Sequence, residues 1–151
     1  MTPIPRAALL LGLAGLLPFL WSVATQLLPN LALWGSGYVS PMFLGTYVSL
    51  SYGTLILSFM SGVLWGFAAK AEGRQAAVGY GLSVIPALWA FFMVTDGTAG
   101  SLIALAAGFA GLLMLDATFA AQGLAPRWWM RLRLMLTGAV LACLAVPILR
   151  G

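Results

Sequence analysis

The chain has 151 residues, 62% of them hydrophobic and only 7% charged, with a formal net charge of +4 and no histidine. A water-soluble domain of this length cannot bury so much apolar surface, so the composition predicts a polytopic membrane protein. The missing histidines exclude His-held haem, His-ligated metal and His general-base chemistry, and the lone Cys143 excludes a cysteine cluster or internal disulfide.

Lipid offers the backbone no hydrogen bonds, so each apolar stretch is read as a helix, and the alternation a barrel strand needs is absent. Five such stretches cover residues 7–28, 43–69, 76–94, 99–121 and 134–149, the last helix reaching back to 130. Most are long enough for a bilayer core, which takes about 20 residues. The fold class is therefore all-α, one bundle of five transmembrane helices over residues 1–151.

The first helix follows Arg6 and carries Pro18, expected to bend it for packing or to line a cavity. Arg6, the apolar run and Ser22-Val23-Ala24 resemble a signal peptide with a small-x-small site. Pro18 and the prompt return to apolar sequence favour a retained span. The connection 29–41 has Trp34, Gly35, Gly37 and Tyr38 and no charge, which suits a short helix in the interface; a lid over a cavity is the alternative.

In the second helix Ser51, Thr54, Ser58, Gly62 and Gly66 fall three or four residues apart. Small residues at that spacing let another backbone come close. This stripe is read first as an intramolecular packing face and second as a dimer or partner face. The third helix carries Pro86, and Thr95-Asp96-Gly97-Thr98 forms a tight turn in which Asp96 serves as turn or cap residue for the fourth. Trp21, Trp65 and Trp89 are candidates for a deeper aromatic pocket. Trp34, Trp128 and Trp129 fit an interfacial belt.

Asp116 is the acid inside a membrane segment, about one turn from the end of the fourth helix. An unpaired Asp at mid-membrane costs about 2.5–3.5 kcal/mol on insertion scales. Arg133 lies at a matching offset in the fifth helix, so an antiparallel hairpin puts the two at similar depth. A structural ion pair between Asp116 and Arg133 is expected, with Arg131 as the substitute.

Threaded in order, the spans put Arg6, Lys70, Arg74, Arg127, Arg131 and Arg133 on one face and Arg150 on the other. Basic residues in short loops mark the cytoplasmic side, so the N-terminus is expected to be cytoplasmic and the C-terminus periplasmic. Basic residues at helix ends anchor to anionic lipid heads, which makes membrane lipids the expected partners and excludes nucleic acid.

The run from Tyr52 to Gly66 (YGTLILSFMSGVLWG) resembles the signature of the transmembrane protein 69 family, the domain of unknown function 3429. So do Asp116, Gly123-Leu124-Ala125-Pro126-Arg127-Trp128-Trp129, Leu132-Arg133-Leu134 and Leu136-Thr137. The resemblance covers nearly the whole chain. In the family pattern a basic residue often precedes the Trp-Gly pair, where Leu64 stands here. The resemblance implies a bacterial inner-membrane or mitochondrial inner-membrane protein without an established activity. With the residues above it points to a polar or ligand focus of Tyr52, Trp65, Lys70, Arg74, Asp116, Trp128 and Arg133.

No nucleophile–base pair, metal set or cofactor motif is visible, so a non-enzyme without cofactor is expected. The leading functional expectation is an accessory or assembly subunit of a larger membrane complex, binding other membrane proteins or itself. The alternative is a lipid- or quinone-binding module or small carrier.

Overall fold

A computed structural model describes residues 3–97 and 99–150. Five helical segments are long and apolar enough to cross a membrane: Arg6–Leu27, Thr46–Ala68, Gly73–Met93, Ala99–Ala121 and Trp129–Arg150. These make the chain a multi-pass membrane protein, all-helical among the described residues. The first and third spans are each broken by a proline. Span one consists of α1 (Arg6–Ala14) and α2 (Leu17–Leu27); span three consists of α5 (Gly73–Ser83) and α6 (Ile85–Met93). Pro18 and Pro86 sit in the first turn after each break, where a missing N–H is tolerated. The intact spans are α4 (Thr46–Ala68), α7 (Ala99–Ala121) and α8 (Trp129–Arg150), the last tolerating Pro147 in its final turn.

α4 is the centre of the bundle, with α2, α5, α6 and α7 around it; α8 packs on α7 and α2 and more lightly on α1. The core is built from fully buried Phe19, Leu57, Leu64, Leu105, Phe109, Phe119 and Leu144, with Cys143 a buried, free filler beside them. Leu64, at the position of the family's basic residue, is thus a core side chain.

The small-residue stripe behaves differently from its first reading. Ser51, Ser58, Gly62 and Gly66 are exposed on the bundle surface, and Thr54 is half-buried. The three hydroxyls bond carbonyls one turn back in their own helix, and a Cβ on Gly62 or Gly66 would meet nothing within 4 Å. The stripe makes no intramolecular packing face. Lipid is as apolar as leucine, so nothing in the composition of a helix face decides which face is covered. Close approach occurs elsewhere: a Cβ on Gly53 would lie 2.7 Å from Leu105, and one on Gly108 2.8 Å from Trp89 and 3.0 Å from Leu57.

The connection 29–41 begins with the short helix α3 (Pro29–Gly35) and leads to a 3-10 turn, Pro41–Phe43. It is pinned to α2, because Trp21 Nε1 donates to the Phe43 carbonyl at 2.8 Å. Next, Gly45 at φ +61° is held at both ends: Thr25 Oγ1 accepts from its N–H at 2.9 Å and Ser22 Oγ donates to its carbonyl at 2.6 Å. Ser49 Oγ donates to Ser22 Oγ at 2.7 Å, closing a buried hydroxyl cluster between α2 and α4. Ser22, read in the sequence as part of a small-x-small site, serves here as an interhelical tie. The segment 29–41 lines neither recess described below, which matches a surface helix better than a lid.

At the turn before α7, Ser101 Oγ donates to Asp96 Oδ1 at 2.8 Å and accepts from the Asp96 N–H at 3.2 Å. Asp96 therefore fastens the turn to the start of α7; Thr98 lies outside the described residues.

Candidate functional site

The α7–α8 connection sets the depth of the buried charges. After α7, Gly123 adopts φ +73°, its N–H donates to Ala120 O, and the N–H of Leu124 donates to Phe119 O. That double bond pattern is a Schellman ending, which only a residue at ease with positive φ can supply. Lys70 Nζ reaches from the end of α4 to the Leu124 carbonyl at 3.1 Å and lies 5.2 Å from the Phe67 ring. The hairpin is thereby held in register.

In that register Arg133 Nε donates to Asp116 Oδ2 at 2.8 Å, and both side chains are buried. The other carboxylate oxygen, Oδ1, accepts from Trp129 Nε1 at 3.0 Å. Trp129 takes the place expected for Trp128; its ring stacks edge-on to Phe67 at 5.1 Å, and Trp128 packs beside it. Arg131 is exposed and is not the partner of Asp116. Breaking a buried pair strands one charge and costs about 3–5 kcal/mol, so neither partner is dispensable alone and the triad fixes the register of the hairpin.

The clamp leaves donors unused. Because Asp116 meets only Nε, the terminal nitrogens of Arg133 make no hydrogen bond among the described residues, and Nη2 is fully buried. One turn further, Thr137 Oγ1 is also buried without a partner. Buried polar groups in proteins are nearly always bonded, so two such neighbours call for an explanation.

Both side chains line a recess of about 270 Å³ bounded by α1, α2, α4, α7 and α8. The break at Gly15–Leu16 makes room for it. Tyr52, Phe19, Ile56, Phe109 and Val140 complete an apolar wall, with the exposed Leu11 and Phe59 at the lipid-facing rim. The Tyr52 hydroxyl makes no hydrogen bond among the described residues; its ring packs edge-on to Phe19 at 5.3 Å. A second recess of about 410 Å³ shares Gly12, Phe59, Met60, Arg133 and Leu136 and runs on toward Trp128 and Pro126. Together they form one groove between α1 and α4 along α8. α1 buries no residue and is the least anchored wall.

The structure brings Tyr52, Asp116 and Arg133 together, with Trp128 at the far end of the groove. Trp65 stands apart, half-exposed and stacked on Tyr80 at 4.5 Å, and Arg74 is exposed at the start of α5. Lys70 ties the hairpin and lines neither recess. Trp21 and Trp89 form no shared pocket, since each donates to a backbone carbonyl, of Phe43 and Ala104 respectively. Thr137 and Trp129 were missed as site residues; Thr137 lies one helical turn from Arg133, which was the available signal.

A family model described as "Protein of unknown function (DUF3429)" matches residues 4–149. Transmembrane protein 69 of Xenopus tropicalis is 34% identical over 137 residues, covering 88% of this chain and 50% of the relative. The chain therefore spans about half the length of that curated relative. No solved structure matches the chain significantly.

Proposed function

The chain belongs to the family of unknown function DUF3429, and we propose that within it this member is a non-catalytic membrane protein that holds a lipid-like molecule. The observation carrying this reading is the groove beside Arg133. Its walls suit an acyl chain or ring, and its buried donors need an acceptor that none of the described residues supplies. Small-molecule sites share this make-up, mostly apolar with a few convergent polar groups, in volumes of roughly 300–1,000 Å³. The clamp residues Asp116, Trp129 and Arg133 are occupied in orienting one another, which supports binding over catalysis.

A second reading, an accessory or assembly subunit of a larger membrane complex, draws on a different observation. The stripe Ser51, Ser58, Gly62 and Gly66 lies open on the surface of α4, where a partner helix or a second copy would gain close contact. The basic residues on one end of the bundle support a cytoplasmic N-terminus and periplasmic C-terminus in a bacterial inner membrane, or the mitochondrial inner membrane in a eukaryote.

Gentle extraction of the tagged chain from native membranes, followed by a native gel and mass spectrometry, separates the two readings. A monomer- or dimer-sized band carrying a stoichiometric small molecule is expected for the binding module. A large band with fixed protein partners and no bound molecule would overturn it in favour of the subunit.

A further inference from the structure

We infer that the polar group received by the groove is a neutral carbonyl oxygen, of the kind carried by a quinone ring or an acyl ester, and not an anionic head. The inference rests on the binding-module reading and adds the chemistry of the ligand's head.

The donors set the first constraint. Guanidinium has five N–H donors and no acceptor. Nε is taken by Asp116, so the four N–H groups on the terminal nitrogens are left, joined by the Thr137 hydroxyl one turn along α8. A ligand must therefore present acceptor oxygen.

Charge sets the second constraint. Asp116 is fully buried and already neutralises Arg133 at 2.8 Å. Arg133 is the charged residue among those lining the deeper recess, and among the described residues no second cation joins it there. An anion at the free nitrogens would put two negative charges around one positive charge in an apolar setting. The penalty for an uncompensated buried charge is several kcal/mol. A carbonyl satisfies the same donors and adds no charge. The remaining wall, Leu16, Phe19, Ile56, Phe109 and Val140, offers no further donor and suits the ring or chain behind that carbonyl. Tyr52, at the α4 side, supplies a hydroxyl for a second oxygen of the same ligand.

The test uses the purified full chain in neutral detergent, read by Trp fluorescence and by thermal unfolding. Three probes with matched ten-carbon tails are compared: a decyl benzoquinone, didecanoyl glycerol and didecanoyl phosphatidic acid. At least one neutral probe should bind ten or more times tighter than the phosphatidic acid. Quinone alone would identify a ring carbonyl; the glycerol alone would identify an ester. Thr137→Val leaves the ion pair in place and should weaken that neutral probe about five- to tenfold, the loss of one hydrogen bond. Asp116→Asn removes the neutralising charge and should raise phosphatidic acid affinity tenfold or more. Phosphatidic acid binding as tightly as the neutral probes to the unaltered chain would overturn the inference and leave the groove as a lipid site. Binding of none of the three would overturn both. An unchanged affinity in Thr137→Val would also overturn the inference, by removing the head from Arg133 and Thr137.

Discussion

The first and third spans carry the same signal, a proline near the middle of the first and about two-thirds along the third, and end differently. At Pro86 the break between α5 and α6 is closed by neighbours. Ser61 Oγ on α4 accepts from the Ala87 N–H at 2.9 Å, and Trp89 packs on Gly108 while donating to Ala104 O at 2.7 Å. A recess of about 330 Å³ lies at that surface, but its buried polar groups are partnered. At Pro18, among the described residues, no hydroxyl of α4 accepts from a backbone N–H as Ser61 does; the facing side chains are Tyr52, whose hydroxyl bonds nothing there, Ile56 and Phe59, and unbonded donors of Arg133 and Thr137 stand across the gap. A proline break is thus packing or site according to what the neighbouring helix brings to it.

The widest test of this contrast is the clamp at the open break. Arg133→Met leaves Asp116 buried and unpaired, and should lower stability by about 3–5 kcal/mol in reversible detergent unfolding. The double change Asp116→Leu with Arg133→Met should recover most of that loss. If the single variant melts like the unaltered chain, the clamp does not hold the hairpin. At the closed break, Gly108→Ala pushes a methyl into Trp89 and should destabilise by about 1–3 kcal/mol. Ser61→Ala orphans the Ala87 N–H and should cost about 1–3 kcal/mol by the same measurement.

The smallest expected effects sharpen the comparison most. Thr137→Val removes a buried hydroxyl that bonds nothing among the described residues, so ligand-free protein should lose no stability and should gain about 1 kcal/mol. Equal losses for Ser61→Ala and Thr137→Val would erase the distinction between the two breaks. Gly62→Ala on the open face of α4 should cost the isolated chain nothing and should gain about 0.5–1 kcal/mol from helix propensity. A large loss there would mean that the stripe is packed after all.

The five spans were readable because a bilayer demands length and apolarity, and both are one-dimensional properties. The depth match of Asp116 and Arg133 was readable for a related reason: two helices joined by a short turn share a common zero, so offsets from that turn become positions. Which way α4 faces was not readable. Gly53, Leu57, Ser61, Leu64 and Ala68 recur with helical spacing just as Ser51, Ser58, Gly62 and Gly66 do, and both stripes include small residues. Only the tertiary fit of Leu105 over Gly53 chooses between them. Trp128 lies in the turn just before α8 and Trp129 is the first residue of α8, and composition cannot say which of two adjacent indoles reaches the carboxylate. Lys70 was grouped with the polar focus because threading the spans puts it on the same side of the membrane as Asp116 and Arg133. Its ammonium instead ends on a carbonyl of the α7–α8 connection. Thr25 and Ser49 passed unnoticed and Ser22 was read only as part of a small-x-small site, since isolated hydroxyls in apolar spans carry no periodic mark.

The measurement that bears most directly on the groove is native mass spectrometry of the chain purified from its own membrane, beside the variant Ile56→Trp. Ile56 lines the deeper recess from α4, and an indole there fills space next to Tyr52. The unaltered chain should carry a lipid-like adduct in near-stoichiometric amount, and the variant should lose it while unfolding at a similar temperature. Adducts equally abundant in both, or missing from both, would contradict the assignment of the Arg133 groove as a binding site.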